Sequence, residues 1–113
     1  MHFHDYQVLA NRTAKPMTFQ NNLLHAALGL AGEAGEFVDA VKKGVIYEQE
    51  LDEQNLKEEL GDILWFCALA ATTLGVNLHD IAAANVHKLS KRYPDRYTDA
   101  AARLRADKYE ISE

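Results

Sequence analysis

Two acidic pairs, each at i, i+3 spacing inside apolar helical sequence, constrain this chain more than any other feature. The first is Glu33 and Glu36 in GLAGEAGEFVDAVKK, residues 29–43. The second is Glu59 and Asp62 in KEELGDILWF, residues 57–66. Residues three apart share one edge of a helix. On a wheel of about 100° per residue with Glu59 at zero, Phe66 falls near −20°, Ile63 near +40°, Leu56 near +60° and Asp62 near −60°. By the same count Phe37 lies about 40° and Leu30 about 60° from Glu33. Glu59 and Asp62 are therefore expected to flank their apolar stripe and not to sit on the solvent face, and Glu33 and Glu36 share one edge beside theirs. The pairs are also mirror-related along the chain. Glu36 with Glu59, and Glu33 with Asp62, share one midpoint between residues 47 and 48. If the chain reverses within VIYEQELD, Glu36 faces Glu59 and Glu33 faces Asp62 at one height.

Carboxylates that converge beside a core repel one another and lose hydration, which costs several kcal/mol or forces protonation. A hard divalent cation removes the conflict. A donor set of oxygens without His or Cys points to Mg²⁺, with Mn²⁺ as a substitute, and away from zinc. The competing reading is solvated surface, which an isolated E-x-x-E usually is. Two matched pairs beside apolar stripes favour the metal. Glu48, Glu50, Glu53 and Glu58 read as surface charges, and Asp39 is ambiguous.

The periodicity predicts an all-α chain. A short helix is expected over residues 2–13, and Pro16 prevents its continuation. A long helix over 18–43 carries Leu23, Leu24, Ala27, Leu28, Leu30, Phe37, Val38 and Val41 at helical spacing. Lys42 and Lys43 suit its last turn, and Gly44 its C′ position. Asp52 is an N-cap for a second long helix to about Thr73, ended by Gly75. Asn77 caps a third helix from Leu78 to about Arg92, stopped by Pro94. The tail is polar apart from a short helix in TDAAARLRAD. Short connections make sequential helices antiparallel neighbours. The 113 residues make one domain, with a core of about 18–93 and a C-terminal tail of 94–113.

Composition narrows the class. No run approaches the roughly 18 apolar residues of a membrane span, and the N-terminus has no apolar signal core. A cytoplasmic protein with no membrane partner is expected. The single Cys67 excludes an internal disulfide and reads as a core residue. A net charge of −5 argues against a basic groove for nucleic acid.

On the third helix, Lys88 and Arg92 fall about 60° and 20° from Asn85, in a sector shared by Leu78, Ile81 and Leu89. Asn85, Lys88 and Arg92 are candidates to reach polyphosphate oxygens, with Lys91 and Tyr93 nearby. The competing reading is that cations merely complement the helix dipole. A base would stack on aromatic or apolar groups near the carboxylates. His25, Asn22, Phe37, Phe66 and Trp65 are available. Trp65, about 120° from Glu59, belongs more naturally to the core or a subunit interface.

Taken together, GLAGEAGEF, EELGDILWF, NVHKLSKRYP and KRYPDRY resemble the MazG-like all-α nucleoside triphosphate pyrophosphatases, over about residues 20–97. The resemblance implies an antiparallel helical bundle completed by oligomerisation, as a homodimer or homotetramer. It implies Mg²⁺-dependent hydrolysis of a (deoxy)nucleoside triphosphate to the monophosphate and pyrophosphate, by water attack on the α-phosphate. It assigns metal binding and catalysis to Glu33, Glu36, Glu59 and Asp62, with Glu36 or Glu59 helping to deprotonate the water. Asn85 and Lys88 would contact phosphate or sugar. Some eukaryotic relatives specific for dCTP have a Tyr four residues after the Asp, where this chain has Phe66. Sibling activities are a phosphoribosyl-ATP pyrophosphatase and a dimeric dUTPase. A non-catalytic helical interaction module is the other alternative. A di-iron bundle needs Glu-x-x-His pairs, and no Glu here has His three residues on.

Overall fold

The computed structural model describes residues 1–109. They form six helices and, among the described residues, no strand: α1 (Phe3–Asn11), α2 (Phe19–Val45), α3 (Glu53–Thr73), α4 (Leu78–Arg92), α5 (Asp99–Leu104) and α6 (Ala106–Tyr109). The chain divides into two compact units, Met1–Leu78 and the part that begins at His79. No single helix among the described residues is long and apolar enough to cross a membrane.

The first unit is built on α2 and α3, which pack along each other. Thr18 starts α2 by accepting a bond from the Asn21 N–H at 3.2 Å. The helix runs 27 residues. It passes through Gly44, which the sequence had suggested as its C′ residue, and the Ile46 N–H closes its end on the Lys42 carbonyl at 2.8 Å. Gly44 has a different task. A Cβ there would stand 2.7 Å from Leu51 Cδ1, so the missing side chain lets the returning connector close onto α2. Asp52 then caps α3 by accepting from the Asn55 N–H at 3.0 Å. Gly75, at φ +72°, supplies the left-handed residue after α3, and the Val76 N–H reaches back to the Ala71 carbonyl at 3.0 Å.

Three independent juxtapositions fix the hairpin register. Gly44 lies against Leu51, Glu33 beside Asp62, and Gly29 against Phe66. Every pair has its midpoint between residues 47 and 48. The mirror point read from the acidic spacing is thus the real axis of the hairpin.

α1 packs on the other flank of α3. Ala10, Ala68, Ala71 and Leu78 form the buried cluster, with Tyr6, Leu64, Trp65 and Cys67 packed around it. Alanines let the two helices approach closely. Gln7, 8% exposed, ties them together. Its amide donates to Thr72 Oγ1 at 3.1 Å and the Val76 carbonyl at 3.0 Å, while Oε1 accepts the Leu78 N–H at 2.7 Å. That N–H opens α4 and has no partner within its own helix. Trp65 belongs to this packed side of α3, and its Nε1–H donates to Thr13 Oγ1 at 2.8 Å.

The apolar stripe of α2 is only partly covered. Leu23, Leu30, Phe37 and Val41 are half-buried, but Leu24, Leu28 and Val38 are 57–64% exposed. α2 is apolar over a wider arc than one neighbouring helix can cover. On α3, Leu60 is likewise exposed.

In the second unit, Thr98 caps α5 by accepting from the Ala101 N–H at 3.0 Å, and Arg105 at φ 51° separates α5 from α6. Arg92 holds α6 to the end of α4. Its Nε and Nη2 donate to the two oxygens of Asp107 at 2.8 and 3.3 Å. The tail helix expected in TDAAARLRAD is α5.

Gly29 and Gly61 separate packing from helix propensity. A Cβ at Gly29 would overlap the Phe66 ring, whereas one at Gly61 meets nothing within 4 Å. Gly→Ala gains about 1 kcal/mol in helix propensity, and overpacking costs about 1–3 kcal/mol. In urea denaturation Gly61→Ala should raise stability and Gly29→Ala should lower it. Combining Gly29→Ala with Phe66→Leu should recover part of the loss.

Candidate active site

The hairpin brings Glu33, Glu59 and Asp62 together. Each offers a carboxylate oxygen within 4.8 Å of the others. Glu33 and Glu59 are half-buried and Asp62 is exposed. Oε2 of Glu33 and Oε2 of Glu59 are shut off from water and have no hydrogen-bond partner among the described residues. An ionised carboxylate only accepts, so neither oxygen can satisfy the other. Protonation offers partial relief. The Glu59 pKa is pushed up from 4.5 to about 7, first by a hydrogen bond shared with Glu33, then by burial, a hydrogen bond with Glu36, and the charges of Glu36 and Glu33. Glu36 thus stands beside Glu59, exposed at the rim of the tight trio. A cluster of oxygen acceptors lacking any donor matches what a hard divalent cation demands.

Beyond Glu36 and Glu59 a cleft of about 650 Å³ opens toward the connector. Asp39, Lys43, Gln49, Glu50, Asp52 and Asn55 give it its polar walls. Lys43 is paired with Asp39 at 3.1 Å, an i, i+4 surface ion pair. On the same two helices, in the opposite direction, lies an aromatic group. The Phe66 ring rests against Gly29, with His25 edge-on at 5.4 Å and Trp65 edge-on at 5.0 Å between centroids. Asn22 donates to the Met17 carbonyl at 3.2 Å, while its own oxygen is buried without a partner. Phe37 is half-buried.

The remaining candidates lie on or just beyond α4. Asn85 and Lys88 are exposed, and Lys91 is half-buried. Tyr93 packs on Tyr97, 5.2 Å between ring centres. Arg92 is committed to Asp107, whose carboxyl the guanidinium holds below its ordinary pKa.

Sequence reasoning missed two features. Tyr6 on α1 feels the site: burial first, then the Asp62 charge, raises its hydroxyl pKa. Its i, i+4 relation to Ala10 marked it as facing α3. The second is the cleft wall formed by Gln49 and Glu50. These lie in an irregular connector, where no periodicity tells which way a side chain points.

Residues 21–97 match the MazG nucleotide pyrophosphohydrolase domain. The chain belongs to this family. All four carboxylates, and Asn85 and Lys88, fall inside the matched span. The Gene 37 protein of Mycobacterium phage L5 is 36% identical over 103 residues, covering 81% of this chain and 89% of the phage protein. YvdC of Bacillus subtilis strain 168, an uncharacterized protein, is 37% identical over 73 residues, covering 57% of this chain and 69% of its own. No solved structure matches the chain.

The raised Glu59 pKa has a definite sign. The folded state holds this proton more tightly than the unfolded chain, so the stabilisation is present below about pH 4.5 and is lost as pH rises toward 7. In chelator, the melting temperature of the MazG-family chain should fall across that interval. Glu59→Gln should flatten this part of the profile and melt higher than wild type above pH 7. Identical profiles would show that Glu59 carries no such strain.

Proposed function

We propose that the protein is a metal-dependent nucleotide pyrophosphohydrolase, converting a (deoxy)nucleoside triphosphate to the monophosphate and pyrophosphate. The observation that carries this reading is the Glu33–Glu59–Asp62 cluster, with two buried oxygens that nothing among the described residues satisfies. Glu33, Glu59 and Asp62, with Glu36 beside them, would hold Mg²⁺ or, in its place, Mn²⁺. A cation bound there supplies Lewis-acid polarisation of the phosphate and neutralises the negative charge that develops on it.

The chain's own residues supply position and proton transfer. Glu33 and Asp62, carboxylates from opposite helices, would repel a bare phosphate, so their part is to hold the cation that would receive the α-phosphate end of the substrate. Glu36, at the exposed rim, takes the proton of the attacking water on a carboxylate oxygen. The water oxygen bonds to the α-phosphorus, and the bond from that phosphorus to the α–β bridging oxygen breaks. Pyrophosphate leaves with the electron pair. Asn85 and Lys88 contact phosphate or sugar, with Lys91 and Tyr93 in support. Arg92 joins them only by releasing Asp107. A second copy of the chain, in a homodimer or homotetramer, covers the Leu24, Leu28 and Val38 face of α2.

The test is pyrophosphate release from a panel of canonical and modified (d)NTPs in Mg²⁺. Glu36→Gln and Glu59→Gln should abolish release and leave the helical circular dichroism unchanged. Release at the wild-type rate from either variant would remove the assignment. Mg²⁺ with a non-hydrolysable triphosphate should also raise the melting temperature of the wild type, which a non-catalytic scaffold would not show.

A further inference from the structure

We infer that the cleft between α2, α3 and their connector receives the nucleobase, and that it favours a base bearing an exocyclic amino group. This rests on the pyrophosphohydrolase reading above. Three observations carry it.

The first is continuity. Glu36 and Glu59 belong both to the carboxylate group and to the cleft wall. A nucleotide whose α-phosphate lies at the carboxylates has its sugar and base within reach of the cleft. At about 650 Å³, the cleft falls in the roughly 300–1,000 Å³ range of small-molecule sites.

The second is charge. Asp39, Glu50 and Asp52 line the cleft beyond the shared carboxylates, against Lys43 alone among the cations of the described residues. Lys43 is already paired with Asp39. A phosphate tail placed here would meet three carboxylates and one neutralised ammonium. A neutral base rich in N–H groups would meet acceptors, with the amides of Gln49 and Asn55 offering both donors and acceptors. An amino-bearing base presents two N–H bonds on one edge. Uracil and thymine present a single imide N–H flanked by carbonyls, which the carboxylates repel.

The third is the state of the aromatic group expected to stack the base. The Phe66 ring occupies the space that a Cβ on Gly29 would take, and His25 and Trp65 pack on it in T-shaped contacts. Inserting a base there requires that packing to open, whereas the cleft is open already.

The experiment measures binding, so that it stands apart from turnover. Titration calorimetry in Mg²⁺ would compare α,β-imido triphosphates of cytidine, guanosine, adenosine, uridine and thymidine, with inorganic tripolyphosphate as the base-free probe. The wild type should bind the amino-bearing analogues more tightly than the uridine and thymidine analogues. Gln49→Ala with Glu50→Gln should lose that preference, about tenfold in Kd for a lost hydrogen bond or two, with tripolyphosphate affinity unchanged. An unchanged ranking in the double variant would overturn the inference. So would a parallel loss of tripolyphosphate affinity, which would assign the cleft to phosphates. Failure of the hydrolase reading would appear separately, as a wild type that binds these analogues but releases no pyrophosphate from any triphosphate.

Discussion

The structure depends on the register of one helical hairpin. Sliding α2 by one residue against α3 would turn Glu33 by about 100° and take it away from Glu59 and Asp62. Glycine and leucine at the closed end, and glycine and phenylalanine beyond the carboxylates, prevent that slide. At both points a side chain of α3 or its approach fills the space that a Cβ on α2 would occupy. These contacts are apolar and local, and they hold an arrangement of like charges that would otherwise push the helices apart. The acidic cluster is therefore held by packing on either side of it, with no donor to its two buried oxygens among the described residues.

This division explains what was legible in the sequence. Helix existence and polarity followed from periodicity, and the cap at Asp52 from residue type. The meeting of Glu33 with Asp62 followed from the shared midpoint, because a short connector leaves an antiparallel pair little freedom. Gly44 was misread because glycine after a helical run is usually a left-handed stop. Whether a glycine stops a helix or opens a gap for a distant neighbour depends on that neighbour, here Leu51, and no local rule contains it. The arc of α2 that stays exposed was illegible for a related reason. Periodicity shows that Leu24, Leu28 and Val38 are apolar on a helix, but not whether anything within the chain lies opposite them.

Arg92 illustrates the same limit for charge. Its position beside Asn85 and Lys88 on the wheel suggested a ligand contact, yet its anionic partner comes from fifteen residues further along the chain. Helix-dipole arguments and phosphate-binding arguments both place a cation at that turn. Only the tertiary partner distinguishes a staple from a ligand contact. MazG membership adds the chemical class.

Gln7 carries a consequence for how the molecule is made. Its three hydrogen bonds reach 65–71 residues along the chain, to groups at the end of α3 and the start of α4. Synthesis runs from the N-terminus, at about 5–20 residues per second. Helix α1 thus leaves the ribosome before the groups it docks on and is among the last of these helices to be locked, and for several seconds Gln7 and Ala10 have nothing to dock against. The α2–α3 hairpin, whose partners are near in sequence, can close during that interval and present the surface onto which α1 folds back.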